Sequence, residues 1–247
     1  MIINLNKPTG ITSFDCIRIL KKQFYNQGQK PPKIGHAGTL DPFASGVLII
    51  CTNGDTKRIS QIQNQPKEYL ATIKLGFASN TYDIEGHIIE SSADNSATKP
   101  ALDVITNILT RNFTGEIWQT PPVFSAKKVN GQRAYHLARQ GISVKLAPKK
   151  VVIYNIGVNY YRYPFLQLKI GCSQGTYIRS IAHDLGQILK IGAYCHQLIR
   201  TRVGEYRLEQ ASDLPADLVS EYQKKYLALK NKQIIWFNTS SSSCSWF

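Results

Sequence analysis

A short glycine-rich run, KIGHAGTLDPFASGVL, holds the first residues whose types suit chemistry. Its only acid is Asp41, which precedes a proline, and His36 lies shortly before it. A carboxylate can act as nucleophile or stabilise positive charge, and a histidine can act as base or as a stacking surface. An aspartate before proline is also an ordinary turn former whose side chain bonds its own backbone. Taken alone, each residue therefore keeps both a chemical and a structural interpretation.

Two further candidates lie where a strand and a helix are predicted. The segment 67–75 alternates apolar and polar residues, which places Tyr69 on the buried face of a strand. Arg179 lies in the first turn of a helix predicted over 176–189, after a turn that contains glycine. Tyr69 is equally well explained as a core aromatic and Arg179 as a surface residue of its helix, so neither position alone indicates a function.

The elements that would position these residues are predicted from hydrophobic spacing. Apolar residues fall at helical intervals after Thr12, and again over 102–109, 176–189 and 214–229, with alternating strand patterns between them. Because helices and strands alternate irregularly with several hairpins, we predict an α+β (mixed α/β) fold with a mostly antiparallel mixed sheet flanked by helices. No GxGxxG follows the first strand and no GxxxxGK[ST] run is present, so the sequence does not indicate a nucleotide-binding fold.

The domain organisation is predicted to be simple. We expect one catalytic domain over residues 1–229, because no repeat or long linker interrupts the pattern. The polar segment 91–99 is expected to be a mobile loop. The serine-rich stretch 230–247 is expected to be a partly disordered tail.

The composition indicates a soluble protein with a large excess of basic residues. Lys and Arg number 30 against 16 Asp and Glu, which gives a formal net charge of +14 and a pI of about 9.6. Such an excess fits the binding of nucleic acid and, equally well, solvated lysines that keep a protein soluble. No apolar run is long enough for a membrane span and the N-terminus lacks the features of a signal peptide, so the cytoplasm is predicted. The five cysteines show no CxxC spacing, which favours buried thiols over a zinc site or disulfides.

Four runs in a fixed order make the pattern more specific. They are NKPTGITS, GHAGTLDPFASGVLIICTNGDTKR, KEYLATIKLG and GCSQGTYIRSIAHDLG. In that order the sequence resembles the tRNA pseudouridine synthases of the TruB type, relatives of the guide-RNA-dependent Cbf5 and dyskerin enzymes. The resemblance extends over roughly residues 2–210 and is far more specific than a lone glycine-rich motif. It implies the pseudouridine synthase fold with a central catalytic cleft, and conversion of the T-loop uridine at position 55 of tRNA to pseudouridine.

The resemblance implies catalytic roles for three residues. Asp41 matches the family's catalytic aspartate, Tyr69 the aromatic that packs on the target uracil, and Arg179 the arginine that pairs with the aspartate. A guanidinium beside a buried carboxylate opposes the rise in pKa that burial causes, and so keeps the carboxylate charged. Stacking on Tyr69 would recover part of the cost of extruding a base from folded RNA.

Other residues would bind the substrate or support the active-site loop. His36 matches the histidine that occupies space beside the extruded base, and Leu198 matches a leucine of the pocket wall. Tyr177, from the GTYIR run, is a further substrate-binding candidate. Lys7 and Pro8 belong to the NKPTG motif, which mainly supports the active-site loop in the family.

The implied reaction also predicts the partners. Because pseudouridine formation is an isomerisation, we expect no redox cofactor, nucleotide or metal ion. The expected partner is the T-arm of tRNA, with no membrane, no obligatory protein partner and a monomeric enzyme. Scattered basic residues are expected to form a basic rim that contacts RNA phosphates; they are Lys57, Arg58, Lys127, Lys128, Arg139, Arg200 and Arg202.

Two departures from the family and two alternatives accompany this prediction. At most 35 residues follow Ser212, which is too few for an ordinary PUA domain, and Ile199 replaces an arginine common in relatives. One alternative is a non-catalytic RNA-binding or tRNA-folding module on the same fold. The other is a metal-dependent RNA hydrolase that would use Asp41, Asp83 and Glu85.

Overall fold

The computed structural model describes residues 1–91, 99–125, 127–129, 131–140, 142, 144 and 146–240, without the side chains at 128, 129, 133, 135, 139 and 231–240. The strands of the described part are β1 Ile2–Lys7, β2 Ile34–Ala37, β3 Ser45–Thr52, β4 Lys67–Leu75, β5 Phe77–Ser79, β6 Ile88–Glu90, β7 Gly115–Gln119, β8 Lys128–Val129, β9 Gln132–Arg133, β10 Lys149–Arg162, β11 Phe165–Cys172, β12 Ala193–Val203, β13 Tyr206–Arg207 and β14 Ser212–Asp213. The helices are α1 Ser13–Asn26, α2 Ile59–Gln63, α3 Leu102–Asn112, α4 Ala134–Arg139, α5 Ile178–Ile188 and α6 Ala216–Ser240, with 3-10 turns at Asn53–Arg58 and Leu208–Gln210. None of the described helices is both long and apolar enough to span a membrane.

The chain divides into two compact units. The first comprises Met1–Ser60 together with the chain from Leu208 onward, and the second comprises Gln61–Arg207. Strands pair antiparallel in both units, except that β1 pairs with β14 in parallel. The predicted α+β class with a mostly antiparallel mixed sheet is therefore confirmed.

The first unit is built around β1 and β3. These strands pair from Ile2 with Cys51 to Lys7 with Gly46, and β2 pairs along the other edge of β3, from Ile34 with Thr52 to Ala37 with Ile49. Helix α1 begins with a capping box, in which Thr12 accepts a hydrogen bond from the Asp15 N–H and Asp15 accepts one from the Thr12 N–H. Such reciprocal capping satisfies N–H groups that a helix start leaves open. The apolar face of α1 packs on the sheet and on α6 in one core; its buried members are Leu5, Ile11, Cys16, Ile17, Ile19, Leu48, Ile50, Leu214 and Leu218.

The second unit is a sheet in the strand order β12, β4, β11, β10 and β7. Strand β4 lies between β12 and β11, and its residues alternate between buried and half-buried from Lys67 to Leu75. Helices α5 and α3 pack against this sheet. Their buried apolar residues, among them Ile105, Leu109, Ile181 and Leu185, are fully or nearly fully buried. The sheet and α5 together set the position of the site residues in this unit.

Several local predictions have clear outcomes. Pro121 and Pro122 predict an edge or irregular segment over 117–126, and β7, which they follow, lies at the sheet edge. The four described cysteines are buried free thiols, as predicted, whereas Cys244 lies outside the described residues. Most of the polar loop at 91–99 also lies outside them. Helix α6 runs to Ser240, eleven residues past the predicted helix end at 229, while the predicted disorder of the tail stays a prediction.

Candidate active site

The loop that carries Asp41 connects β2 to β3 and is held by a buried lysine. Lys7, which is 0% exposed, donates hydrogen bonds from its ammonium to the carbonyls of Pro8 at 2.8 Å, Pro42 at 3.3 Å and Ala44 at 2.7 Å. Charge-assisted bonds of this kind are stronger than neutral ones. The lysine of the NKPTG motif therefore fixes the backbone directly after Asp41, as the resemblance implied.

A serine and a glycine hold the same loop from α1 and its approach. The Ser13 hydroxyl donates to the Leu40 carbonyl at 2.9 Å and accepts from the Leu40 N–H at 2.8 Å. Gly10 has a φ of 78°, a conformation that L side chains rarely adopt, and its N–H donates to the Pro42 carbonyl at 2.8 Å. The residues on both sides of Asp41 are thus bonded to fixed elements of the first unit, and the half-buried Asp41 is presented from an ordered loop.

His36 lies within the short strand β2 of the same unit. It is paired with Ile50 of β3 and is half-buried. His36 therefore lies in an ordered strand of the same unit, a few residues before the Asp41 loop. The proposed role beside an extruded base stays a prediction.

In the second unit, Tyr69 and Leu198 share one buried face of the sheet. Leu198 in β12 is the neighbour of Ala71 in β4, and Arg200 is the neighbour of Tyr69. Tyr69 is 8% exposed and Leu198 5% exposed. The structure therefore brings together the aromatic residue and the leucine that the resemblance assigned to a pocket that holds the base.

Arg200 differs from the prediction of an exposed basic rim. Its side chain is 1% exposed, because it extends from the same sheet face as Tyr69 and Leu198. Its positive charge affects Lys67, whose ammonium donates to the Gln63 and Gln65 carbonyls. Burial, and then the charge of Arg200, lower the pKa of Lys67 from 10.5 to about 8. Arg200 thus belongs to a buried cationic region and not to the surface.

Arg179, the second residue of α5, is buried in a dense set of acceptors. Its guanidinium donates from Nη1 to the Thr81 carbonyl and to Asp83 Oδ2, both at 3.0 Å, and from Nη2 to the Phe124 carbonyl at 3.1 Å. The ion pair with Asp83 is buried on both sides, with 5% and 3% of the side chains exposed. Residue spacing alone does not indicate Asp83 as the partner of Arg179, because the two residues lie 96 positions apart.

The carboxylate of Asp83 is fixed by its own turn as well. Its Oδ1 accepts from the Thr81 hydroxyl at 2.5 Å and from the Glu85 N–H at 2.9 Å. Asp83 is thereby turned toward Arg179, whereas the hydrolase alternative would need its carboxylate to face a metal ion. Within the described ranges, no three His, Cys, Asp or Glu side chains lie close enough together to bind a metal ion.

Tyr177 stands at the start of α5. Its backbone N–H donates to Gln119 Oε1 at 2.7 Å, and its carbonyl accepts from Gln119 Nε2 at 3.0 Å. The side-chain amide of Gln119 therefore joins the end of β7 to the start of the helix that carries Arg179. The half-buried Tyr177 ring remains a predicted substrate contact.

The other predicted rim residues have different environments. Lys57 and Arg58 are exposed, and Arg58 lies 3.5 Å from Asp55. Arg202 pairs with Glu68 at 2.6 Å and is 30% exposed. Lys127 donates to the Ala147 carbonyl at 3.3 Å. The side chains of Lys128 and Arg139 lie outside the described residues, so a continuous basic rim stays a prediction.

The candidates fall into both units. Asp41 and His36 belong to the first, and Tyr69, Arg179 and Leu198 to the second. The predicted pairing of Arg179 with Asp41 stays a prediction. What the structure establishes is that each residue is held by its own unit with defined hydrogen-bonding or packing partners.

A half-buried acid on α5 gives a pH-dependent prediction. Burial raises the pKa of Asp184 from 3.8 to about 6. At low pH the carboxyl is neutral in both the folded and the unfolded chain. As the pH rises from 3.8 to about 6, the unfolded chain releases this proton first, so the free energy of unfolding falls over this range. Asp184→Asn is always neutral and should raise the free energy of unfolding at pH 8 by about 1 kcal/mol, after a discount for partial solvent exposure.

Urea unfolding at pH 8 and pH 5 measures this effect. The gain should be smaller at pH 5, where the folded protein keeps the carboxyl mostly protonated. Glu205→Gln, which makes the same change of charge at an exposed turn, serves as the control. An equal gain at both pH values, or a loss at pH 8, would contradict the prediction.

The chain is similar to known proteins over most of its length. The family model described as TruB family pseudouridylate synthase (N terminal domain) matches residues 21–178. A tRNA pseudouridine synthase B of Clostridium tetani is 44% identical over 213 residues, covering 86% of this chain and 71% of the relative. A protein of the same name from Bacteroides fragilis is 44% identical over 216 residues, covering 86% of this chain and 90% of the relative.

A solved structure supports the fold. A chain in the crystal structure of a Cbf5-Nop10-Gar1 complex matches with a TM-score of 0.66 and 27% identity, over 94% of this chain and 58% of that one. This chain thus spans little more than half the length of that solved chain. The predicted pseudouridine synthase fold is confirmed by this likeness together with the family match. The chain belongs to the TruB family of pseudouridylate synthases.

Proposed function

We propose that this chain is a tRNA pseudouridine synthase, an isomerase that converts the T-loop uridine at position 55 of tRNA to pseudouridine. Asp41 is the catalytic carboxylate, and the target base is flipped out of the folded RNA before it reacts. The relatives at 44% identity, which are named tRNA pseudouridine synthase B, support the substrate class.

The observation that carries the proposal is the ordered loop around Asp41. The carbonyls of Leu40, Pro42 and Ala44 are all hydrogen-bonded to side chains or N–H groups of the first unit. A catalytic group gains most when its geometry is fixed before the substrate binds. An ordinary turn aspartate does not require a buried lysine ammonium for its support, so this structure favours the catalytic interpretation.

The reaction needs a carboxylate but no cofactor or second substrate, because it is an isomerisation. The N1–C1′ bond of the uridine breaks, the uracil turns, C5 bonds to C1′, and the proton lost from C5 is balanced by one gained at N1. The number of electrons on the substrate is unchanged. Asp41 would serve as nucleophile or would stabilise positive character at C1′ during detachment.

The second unit supplies the surroundings for the base. Tyr69 and Leu198 share one sheet face and offer an aromatic ring and an apolar wall to an extruded uracil. Stacking of a base on an aromatic side chain contributes about 1–3 kcal/mol. Arg179, held by Asp83 and backbone carbonyls, would keep the catalytic carboxylate ionised. His36 would occupy space left by the extruded base, and Tyr177 would contact the substrate.

The proposal includes the partners and the place of action. The formal charge of +14 suits binding of the tRNA backbone, and exposed Lys57 and Arg58 are the best-placed contacts among the predicted basic residues. We also propose a monomer without an obligatory protein partner. Because tRNA is the substrate, the cytoplasm is the proposed compartment.

Incubation with unmodified tRNA in the presence of EDTA tests this function. Pseudouridine should appear at position 55, and a transcript with cytidine at that position should gain none there. The EDTA separates an isomerase from a metal-dependent hydrolase, which would cut the RNA only without the chelator. Binding of tRNA with no product would leave a folding module, and product only at other positions would refute the assigned target.

A further inference from the structure

Two rings outside the assigned site connect the Thr81–Asp83 turn to helix α5. The ring of Tyr82 stacks on that of His183, with centroids 3.8 Å apart and an angle of 10° between the planes. Both side chains are half-buried. The stack lies one helical turn from Arg179, because His183 follows Arg179 by four residues on α5, and residues so spaced share a helix face.

The same short turn therefore has two attachments to one helix face. Arg179 holds the residues on both sides of Tyr82, through the Thr81 carbonyl and the Asp83 carboxylate, each at 3.0 Å. His183 holds the residue between them through its ring. A displacement of Tyr82 would thus move both acceptors of Arg179 together.

The backbone of Tyr82 shows that this turn is constrained. Its φ is 63°, in the left-handed region that bulky residues rarely adopt. Such a conformation persists only where the surroundings enforce it, and it often marks a functional site. The enforcing contacts here are the stack with His183 and the hydrogen bond from the Cys195 N–H to the Tyr82 carbonyl, at 2.9 Å.

We propose that Tyr82 and His183 are positioning residues, whose stacked rings hold the Thr81–Asp83 turn on α5 and thereby fix the guanidinium of Arg179 for the reaction. Neither ring touches the substrate in this proposal. It rests on the proposed function, because it assumes that Arg179 assists the catalytic carboxylate. Burial lowers the pKa of His183, which favours the uncharged ring.

Removal of either ring should slow the chemical step and leave binding intact. We expect His183→Ala to lower the single-turnover rate of pseudouridine formation about tenfold, while the Kd for tRNA changes less than about twofold. His183→Phe keeps a flat ring at the same place and should recover most of the rate. Gln187→Ala, an exposed change one turn further along α5, is the matched control and should have the wild-type rate.

A double-variant cycle makes the test specific to the stack. Tyr82→Ala removes the ring but keeps the Cβ atom, so a positive φ at this position stays unfavourable as it is for tyrosine. This variant should therefore slow the reaction as His183→Ala does. The double variant should be no slower than either single variant, because both remove one contact. Midpoints of thermal unfolding are recorded for every variant.

The outcomes are distinguishable. A wild-type rate in His183→Ala, equal slowing in His183→Ala and His183→Phe, or additive losses in the double variant would each overturn the positioning role. A lower unfolding midpoint with an unchanged rate would show that the stack only stabilises the fold, and would overturn it as well. Failure of the proposed function would instead appear in the wild-type protein, as absence of pseudouridine at position 55.

Discussion

The substitution Asp41→Asn is expected to lower the rate of pseudouridine formation at least about a thousandfold, which is the scale for loss of a nucleophile or a transition-state charge. Asparagine has nearly the shape of aspartate but cannot carry its charge. The loop should keep its conformation, because the bonds that hold it use backbone atoms of Leu40, Pro42 and Ala44. Affinity for tRNA should stay within about twofold, since phosphate contacts dominate RNA binding.

Single-turnover kinetics with excess enzyme and filter binding of labelled tRNA separate these two effects. Asp217→Asn makes the same change of charge at an exposed position of α6 and is expected to react at the wild-type rate. If Asp41→Asn kept more than about a tenth of the wild-type rate, the carboxylate would not be the group that carries the chemistry. If it lost tRNA binding as well, Asp41 would be a structural residue of the loop.

The local elements were predictable because hydrophobic spacing is a local property. Strand β4 was predicted over 67–75 and found as Lys67–Leu75, and the helix predicted over 176–189 is Ile178–Ile188. Helix α6 is longer than predicted, since the serine-rich composition suggested an end near 229. No glycine or proline lies between 229 and Ser240 to stop the helix, and it continues to Ser240.

The environments of the basic residues were less predictable. Strict alternation in β12 would put Leu198, Arg200 and Arg202 on one face. Arg200 follows that alternation and lies beside Tyr69 in the buried face, but a bulge between Arg200 and Arg202 breaks it, so that Arg202 meets Glu68. A bulge depends on pairing with the neighbouring strand, and the sequence of one strand does not show it.

The partner of Arg179 was also beyond the reach of sequence spacing. Asp83 lies 96 residues away along the chain, in the turn between β5 and β6. Strand periodicity indicated where Tyr69 would lie, but an ion pair between a turn and a helix depends on how the two pack. The resemblance indicated that Arg179 is important, and the structure shows that Asp83 is its partner.

The buried pair gives the second large prediction. Asp83→Asn should lower the free energy of unfolding by about 3 kcal/mol, because loss of one member of a buried ion pair leaves its partner poorly compensated. The asparagine oxygen can still accept from Thr81 and Glu85, but its amide would face the guanidinium of Arg179 as a second donor. The displaced guanidinium should also slow pseudouridine formation about a hundredfold.

A stability cycle isolates the pair from its separate contacts. Urea unfolding is measured for Asp83→Asn, Arg179→Gln and the double variant, with Asp103→Asn as an exposed control of equal charge change in α3. If the ion pair is the cause, the double variant should be more stable than the sum of the single losses predicts, by at least about 1 kcal/mol. Additive losses would mean that Asp83 acts through its turn alone, and that the bonds from Arg179 to the Thr81 and Phe124 carbonyls hold the guanidinium without it.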